Sequence, residues 1–123
     1  MGDLTKNISR HEVSCRCGCG SDSIDAETIE VVQECCDHFS DITGSRVVAA
    51  INSGNRCLGH NRSIGSRDSS QHPKGRAIDF RIVNVDPADV YKYLDERYSG
   101  KYGVGNYPTF THLDTRTNGG SRW

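Results

Sequence analysis

The chain reads as a small α+β protein, with a small antiparallel sheet and two main helices packed on one side of it. Three observations predict this. Two segments repeat apolar residues at intervals of three and four, as an amphipathic helix does. Short Val- and Ile-rich runs between and after them alternate apolar with polar residues, as half-buried strands do. With 13 glycines and an apolar fraction of 34% in 123 residues, much of the rest must be loop around a modest core. A chain of this length makes one domain, and no repeat or low-complexity linker divides residues 1–123.

Residues 1–22 read as an irregular Cys-rich arm with one short turn, where Ser9-Arg10-His11-Glu12 has the capping-box spacing. A firmer helix runs from Asp25 to Asp41. Ile29, Val32, Cys36 and Phe39 define its apolar face, Ser23 or Asp25 its cap, and Gly44 its end. Arg46 to Asn52 reads as a buried strand. Ser53 to Pro73 shows little periodicity and is expected to be a functional loop. Ala77 to Val83 is the second strand, with Ile78, Phe80 and Ile82 on one face and Asp79 and Arg81 on the other. Asp86-Pro87-Ala88-Asp89 starts the second helix with a capping acid and Pro at its first position. Val90 and Leu94, with Tyr98 or Tyr91, form its buried stripe, and Gly100 ends it. Tyr102 to Asn106 and Phe110 to Thr115 are expected to pair as strands near Pro108. The tail from Thr117 to Trp123 carries no readable signal.

Composition excludes several classes of function. A net charge of -1 and a pI near 6.5, with both signs mixed along the chain, leave no footprint for nucleic acid. The longest apolar run, Val47 to Ile51, is far short of a membrane span. The N-terminus lacks the basic and apolar regions of a signal peptide, so the expectation is synthesis in the cytoplasm without a leader. Lys6 stands where a myristoylation motif at Gly2 wants Ser or Thr. A monomer is expected.

The six cysteines have two readings. Cys15, Cys17 and Cys19 offer a second, structural zinc site, although their spacing is tighter than the usual Cys-x-x-Cys knuckle. Alternatively, all six, including Cys35, Cys36 and Cys57, are buried thiols with a disulfide formed after release from the cell.

The chemistry concentrates elsewhere. His72 stands seven positions before Asp79, with Gly75 placed to turn the chain from loop into strand. His112 and Asp114 alternate with Leu113 and so share one strand face. If the two strands are neighbours, these groups converge. His72, Asp79 and His112 then supply the N, O and N ligands of a mononuclear zinc, one position staying open for water. Asp114 is left for proton work or for orienting an imidazole. His11, His38 and His60 are read as uninvolved.

Ser70-Gln71-His72 followed by Asp79 resembles the Ser-x-His-x(6)-Asp signature of the zinc D-Ala-D-Ala carboxypeptidase and L,D-endopeptidase family of peptidoglycan peptidases, which shares the Hedgehog/D,D-peptidase fold. Ser53-Gly54-Asn55-Arg56 resembles the family's Ser-Gly-x-Arg stretch, and His112-Leu113-Asp114-Thr115-Arg116 its last metal-binding strand. The arm, with Cys15-Arg16-Cys17-Gly18-Cys19-Gly20, looks like the N-terminus of the small, often phage-encoded branch. The resemblance implies that His72, Asp79 and His112 bind zinc. It also implies that Arg56 lies in the substrate cleft and that Ser70 sits beside His72. Zinc would acidify a bound water, and a carboxylate would carry its proton to the leaving amine. Many relatives place that acid three residues before the last His. Here the position is Thr109, which leaves Asp114 as the substitute and Asp68 as a further choice.

The leading expectation is therefore a zinc metallopeptidase acting on peptidoglycan peptides at the bacterial cell wall, after release or as a virion component, in phage lysis or entry. A zinc-containing module that binds the wall or a partner without catalysis is the alternative. A structural phage protein with a metal in its Cys-rich arm is the third.

Overall fold

Capping chemistry sets the helix boundaries in the computed structural model, which describes residues 4–67, 69–117 and 119–123. Helix α1 (Arg10–Val13) opens on a reciprocal capping box, the Glu12 carboxylate accepting the Ser9 N–H at 2.8 Å. Helix α2 (Ala26–Thr43) is capped by Asp25, which accepts the Glu27 N–H at 2.9 Å, and Gly44 closes it in the left-handed conformation. Helix α4 (Pro87–Arg97) starts from Asp86, whose carboxylate takes the Ala88 N–H at 2.9 Å.

Five strands form one sheet: β1 (Ala49–Ser53), β2 (Ala77–Ile82), β3 (Gly103–Asn106), β4 (Thr111–Asp114) and β5 (Ser121–Arg122), in the order β1-β2-β4-β3-β5. The two longer helices cover one face. Ile78, Phe80 and Ile82 of β2, Val104 of β3 and Leu113 of β4 meet Val32 and Cys36 of α2 and Val90 and Leu94 of α4 in a single core. Each such side chain, fully buried, contributes about 1.5–3 kcal/mol. The period-two alternation of β2 and β4 leaves Asp79, His112 and Asp114 on the opposite face.

Four expectations need correction. The run from Arg46 to Asn52 is not a buried strand throughout: β1 begins at Ala49, lies at the sheet edge, and leaves Val48 61% exposed. Its Val and Ile content reflects strand propensity rather than depth. The Ser53–Pro73 loop contains a short helix, α3 (Leu58–Ser63), capped by the Cys57 thiol, which accepts the His60 N–H at 3.3 Å. The tail, silent in the sequence, holds a strand at Ser121–Arg122. Its β5 pairs parallel to β3, and the Trp123 carbonyl accepts the Asn106 N–H at 2.8 Å, so the sheet is mixed rather than wholly antiparallel. Arg122 pins that strand through Asp95 at 2.8 Å and the Tyr102 and Tyr98 carbonyls at 2.8 and 2.9 Å.

The N-terminal arm is more tightly bound than an irregular segment. Ile8 and Val13 are fully buried in the core. Asn55 donates its N–H to Val13 O at 2.7 Å, accepts from Ser21 Oγ at 2.6 Å and donates its amide to Ser23 O at 2.7 Å. Gly54 is needed here for close approach, since a Cβ would lie 2.7 Å from Val13 Cα. The arm is thereby stitched to the segment that carries Arg56.

Candidate metal centre

The antiparallel register of β2 and β4 places Asp79 directly opposite His112, with Ala77 opposite Asp114. Asp79 Oδ1 lies 2.7 Å from His112 Nδ1. His72 reaches the same carboxylate from the preceding loop, its Nε2 lying 3.3 Å from Asp79 Oδ2. The turn that delivers it closes at Gly75, whose φ of 69° is left-handed and whose N–H donates to His72 O at 3.0 Å. The structure thus brings together the three ligands expected from the sequence.

The imidazole tautomers follow from their partners. His72 Nδ1 sits 2.7 Å from Gly54 O, and a carbonyl only accepts, so Nδ1 carries the hydrogen and Nε2 presents its lone pair. That Nε2 is buried, on a side chain 2% exposed, and beyond its 3.3 Å approach to Asp79 Oδ2 it has no hydrogen-bond partner among the described residues. A buried orphan of this kind is costly unless something binds it. With His112 Nδ1 and an Asp79 oxygen, its ligand atoms all lie within 4.8 Å of one another. The N, O, N set, the shared carboxylate and the orphaned nitrogen fit a zinc ion with three protein ligands.

On its far side, His112 Nε2 meets Asp114 Oδ2 at 2.8 Å. Asp114 is fully buried and held in a fork by Arg116, with Nε to Oδ1 and Nη2 to Oδ2 both at 2.7 Å. Burial alone would raise the Asp114 pKa, but hydrogen bonds from Arg116 and His112 hold it well below the usual carboxylate range. Asp79 is likewise held low against its burial, chiefly by its hydrogen bond with His112. For His112 the order is reversed: burial lowers its pKa, while its bonds to Asp114 and Asp79 raise it further. Space for Asp114 comes from β3. Gly103 lies opposite it, and a Cβ there would sit 2.3 Å from Asp114 Oδ2.

The other expected residues fall as follows. Arg56 lines the same cleft, mostly buried, with Nη2 3.8 Å from Asp79 Oδ2 and Nη1 donating to Asn61 Oδ1 at 3.2 Å. Burial lowers its pKa, opposed by Asp79. Ser70 also lines the cleft, its Oγ accepting the His72 N–H at 3.3 Å. Thr109 is exposed in the β3–β4 hairpin, and Asp68 and Gly2 lie outside the described residues. His38 stacks on Tyr93 at 4.0 Å, and the ligand group contains neither it nor His11 nor His60. Cys15, Cys17 and Cys19 gather with Cys57, apart from this site.

Beyond Arg56 and Ser70, sequence reasoning assigned no role to the cleft walls. The cleft, about 1030 Å³, carries the cations Arg56, Arg67, Lys74 and Arg116 and an aromatic side of Tyr107, Phe110 and Trp123. Tyr107 stacks on Phe110 at 4.5 Å and accepts the Trp123 indole N–H at 2.8 Å, while the Trp123 ring lies 5.1 Å from that of His112. A signal existed in Tyr107 and Phe110, two aromatics in the hairpin that leads into the His112 strand. Trp123 had none.

A family model described as Peptidase M15 matches residues 6–114. Over 56 residues, 44% of the chain, the sequence is 45% identical to a Haemophilus influenzae protein named probable peptidoglycan L,D-endopeptidase MepK. That match spans 29% of the relative's length.

Proposed function

The chain belongs to the peptidase M15 family, and from that membership we propose that it is a zinc-dependent peptidase that hydrolyses peptidoglycan stem peptides at the bacterial cell wall. The observation that carries this reading is the buried His72 Nε2, without a hydrogen bond among the described residues, beside Asp79 and His112. Bound by those residues, zinc supplies an acidified water and a polarised carbonyl. Gly54 O and Asp114 fix the two imidazoles so that lone pairs, not N–H groups, face the ion.

The remaining cleft residues have separable roles. Arg56, beside Asp79, is suited to the negative charge that develops on the substrate. Arg67 and Lys74 match the carboxylates of a stem peptide, and the Tyr107, Phe110 and Trp123 side offers an apolar surface to its chain. Cleavage of an internal peptide bond is in keeping with the endopeptidase name of the relative, and D,D-carboxypeptidase trimming is the competing specificity. Asp114, with both oxygens engaged by His112 and Arg116, is assigned to positioning His112 rather than to carrying the proton.

The single-domain reading, the Hedgehog/D,D-peptidase type of fold and a setting in phage lysis or entry belong to the same proposal. They are supported by the motif order from the Cys-rich arm to the His112 strand. One observation favours the alternative of a non-catalytic zinc module: Thr109 occupies the expected acid position, and the carboxylates lining the cleft among the described residues are Asp79 and Asp114. Digestion of purified peptidoglycan, with released fragments identified by mass spectrometry, separates the readings. Chelator-sensitive release of stem-peptide fragments is expected. Zinc bound at His72, Asp79 and His112 with no fragment released would establish the binding module instead.

A further inference from the structure

We propose that Cys15, Cys17, Cys19 and Cys57 hold a second, structural zinc ion that locks the N-terminal arm onto the segment carrying Gly54 and Arg56. All four Sγ atoms lie within 4.8 Å of one another. Cys15 Sγ stands 3.4 Å from Cys17 Sγ, and Cys17 Sγ stands 3.7 Å from Cys57 Sγ. Four thiolates around zinc, with bonds near 2.3 Å, place sulfurs about 3.8 Å apart. A disulfide needs about 2.05 Å, and all six cysteines are free. The spacing is that of a tetrahedral cage and not of a crosslink.

Local backbone builds the cage. Gly18 and Gly20 take φ of 81° and 85°, left-handed turns that glycine adopts without strain, so three sulfurs from five consecutive residues face one point. The fourth comes from Cys57, 38 positions after Cys19, which explains why no knuckle spacing announces the site. Backbone N–H groups already address the sulfurs: Cys57 N to Cys15 Sγ at 3.4 Å, Ser21 N to Cys19 Sγ at 3.5 Å and His60 N to Cys57 Sγ at 3.3 Å. Such bonds orient thiolate ligands and offset their charge. The other two cysteines, Cys35 and Cys36, are fully buried in the apolar core and serve packing.

The placement gives the ion a purpose. Cys57 follows Arg56, and Gly54 O holds the His72 ring at 2.7 Å, so a clamp on Cys57 steadies both groups from outside the cleft. A small domain gains most from such a staple, because its core alone is modest.

Metal analysis of the recombinant protein purified under reducing conditions tests this. Wild type is expected to carry two zinc ions per chain, and His72→Ala/His112→Ala to keep one. Titrating the thiols of that variant with an organomercurial is expected to release the remaining equivalent. Cobalt substitution of the same variant is expected to produce a thiolate-to-metal charge-transfer band in the near ultraviolet. Cys17→Ser/Cys57→Ser is expected to lose one equivalent. Should that variant fail to fold, Cys57→His preserves a fourth ligand and is expected to bind zinc. A single zinc in wild type that vanishes in His72→Ala/His112→Ala would overturn the site. So would cobalt-loaded wild type without the charge-transfer band, or a disulfide among the four cysteines in the active protein.

Discussion

Asp79 and His112 face each other across the β2–β4 ladder, Oδ1 to Nδ1 at 2.7 Å. The candidate metal face is therefore a property of strand register, since a one-residue slip of either strand would turn its own ligand residue towards the core. Asp79→Asn keeps the shape and removes the charge. Zinc affinity at the centre is expected to fall by more than 100-fold, beyond the 10–100-fold typical of outer partners, while the fold is retained by circular dichroism. Undiminished affinity, read by competition with a chromophoric chelator, would remove Asp79 from the ligand set.

Asp114→Asn separates positioning from proton transfer. A residue that only orients His112 is expected to cost about 10–100-fold in zinc affinity, with turnover recovering when zinc is added in excess. Turnover lost at saturating zinc would instead make Asp114 the proton carrier. Asp68→Asn is the parallel measurement, and zinc retained with turnover lost would assign the proton to that residue.

Gly103→Ala places a methyl 2.3 Å from a carboxylate oxygen that Arg116 and His112 hold fixed. Overpacking of this kind costs about 1–3 kcal/mol, and zinc affinity is expected to fall with it as Asp114 is displaced. Gly59→Ala provides the contrast. It lies in α3, where a Cβ meets nothing within 4 Å, and is expected to stabilise by about 0.5–1 kcal/mol. Urea denaturation of both variants checks the pair.

Asn55→Ala removes the side chain that bonds Ser21 and Ser23. Two partly buried hydrogen bonds are lost, each contributing about 0.5–1.5 kcal/mol, and the arm is expected to become the first site of limited proteolysis. An unchanged digestion pattern would show that α1 and the core contacts of Ile8 and Val13 hold the arm without it.

Much of this molecule was readable from its chain. The alternation in Ala77–Val83 and Phe110–Thr115 is a period-two signal, and it correctly put Asp79, His112 and Asp114 on one face opposite Ile78 and Leu113. The capping acids Asp25 and Asp86 marked helix starts because the chemistry of a helix N-terminus is local. What escaped was short or distant. Helix α3 and strand β5 are too brief to show a period, and the edge position of β1 depends on which strands pair. The need for Gly103 arises only once β3 lies beside Asp114. The approach of Cys57 to the arm is a tertiary contact that no local spacing encodes. Apart from Arg56, the cation and aromatic sides of the cleft were missed for the same reason, since Trp123 reaches His112 through a parallel pairing with β3.

The Asn55 amide, bonded to the Val13 carbonyl at 2.7 Å, gives the molecule a built-in sentinel. One residue on either side of it lie Gly54 and Arg56, so its solvent-exchange rate in a heteronuclear spectrum reports whether the N-terminal arm is seated against that segment. A single resonance, followed through a titration, would then reveal whether an inhibitor or a metal is felt beyond the groups it touches.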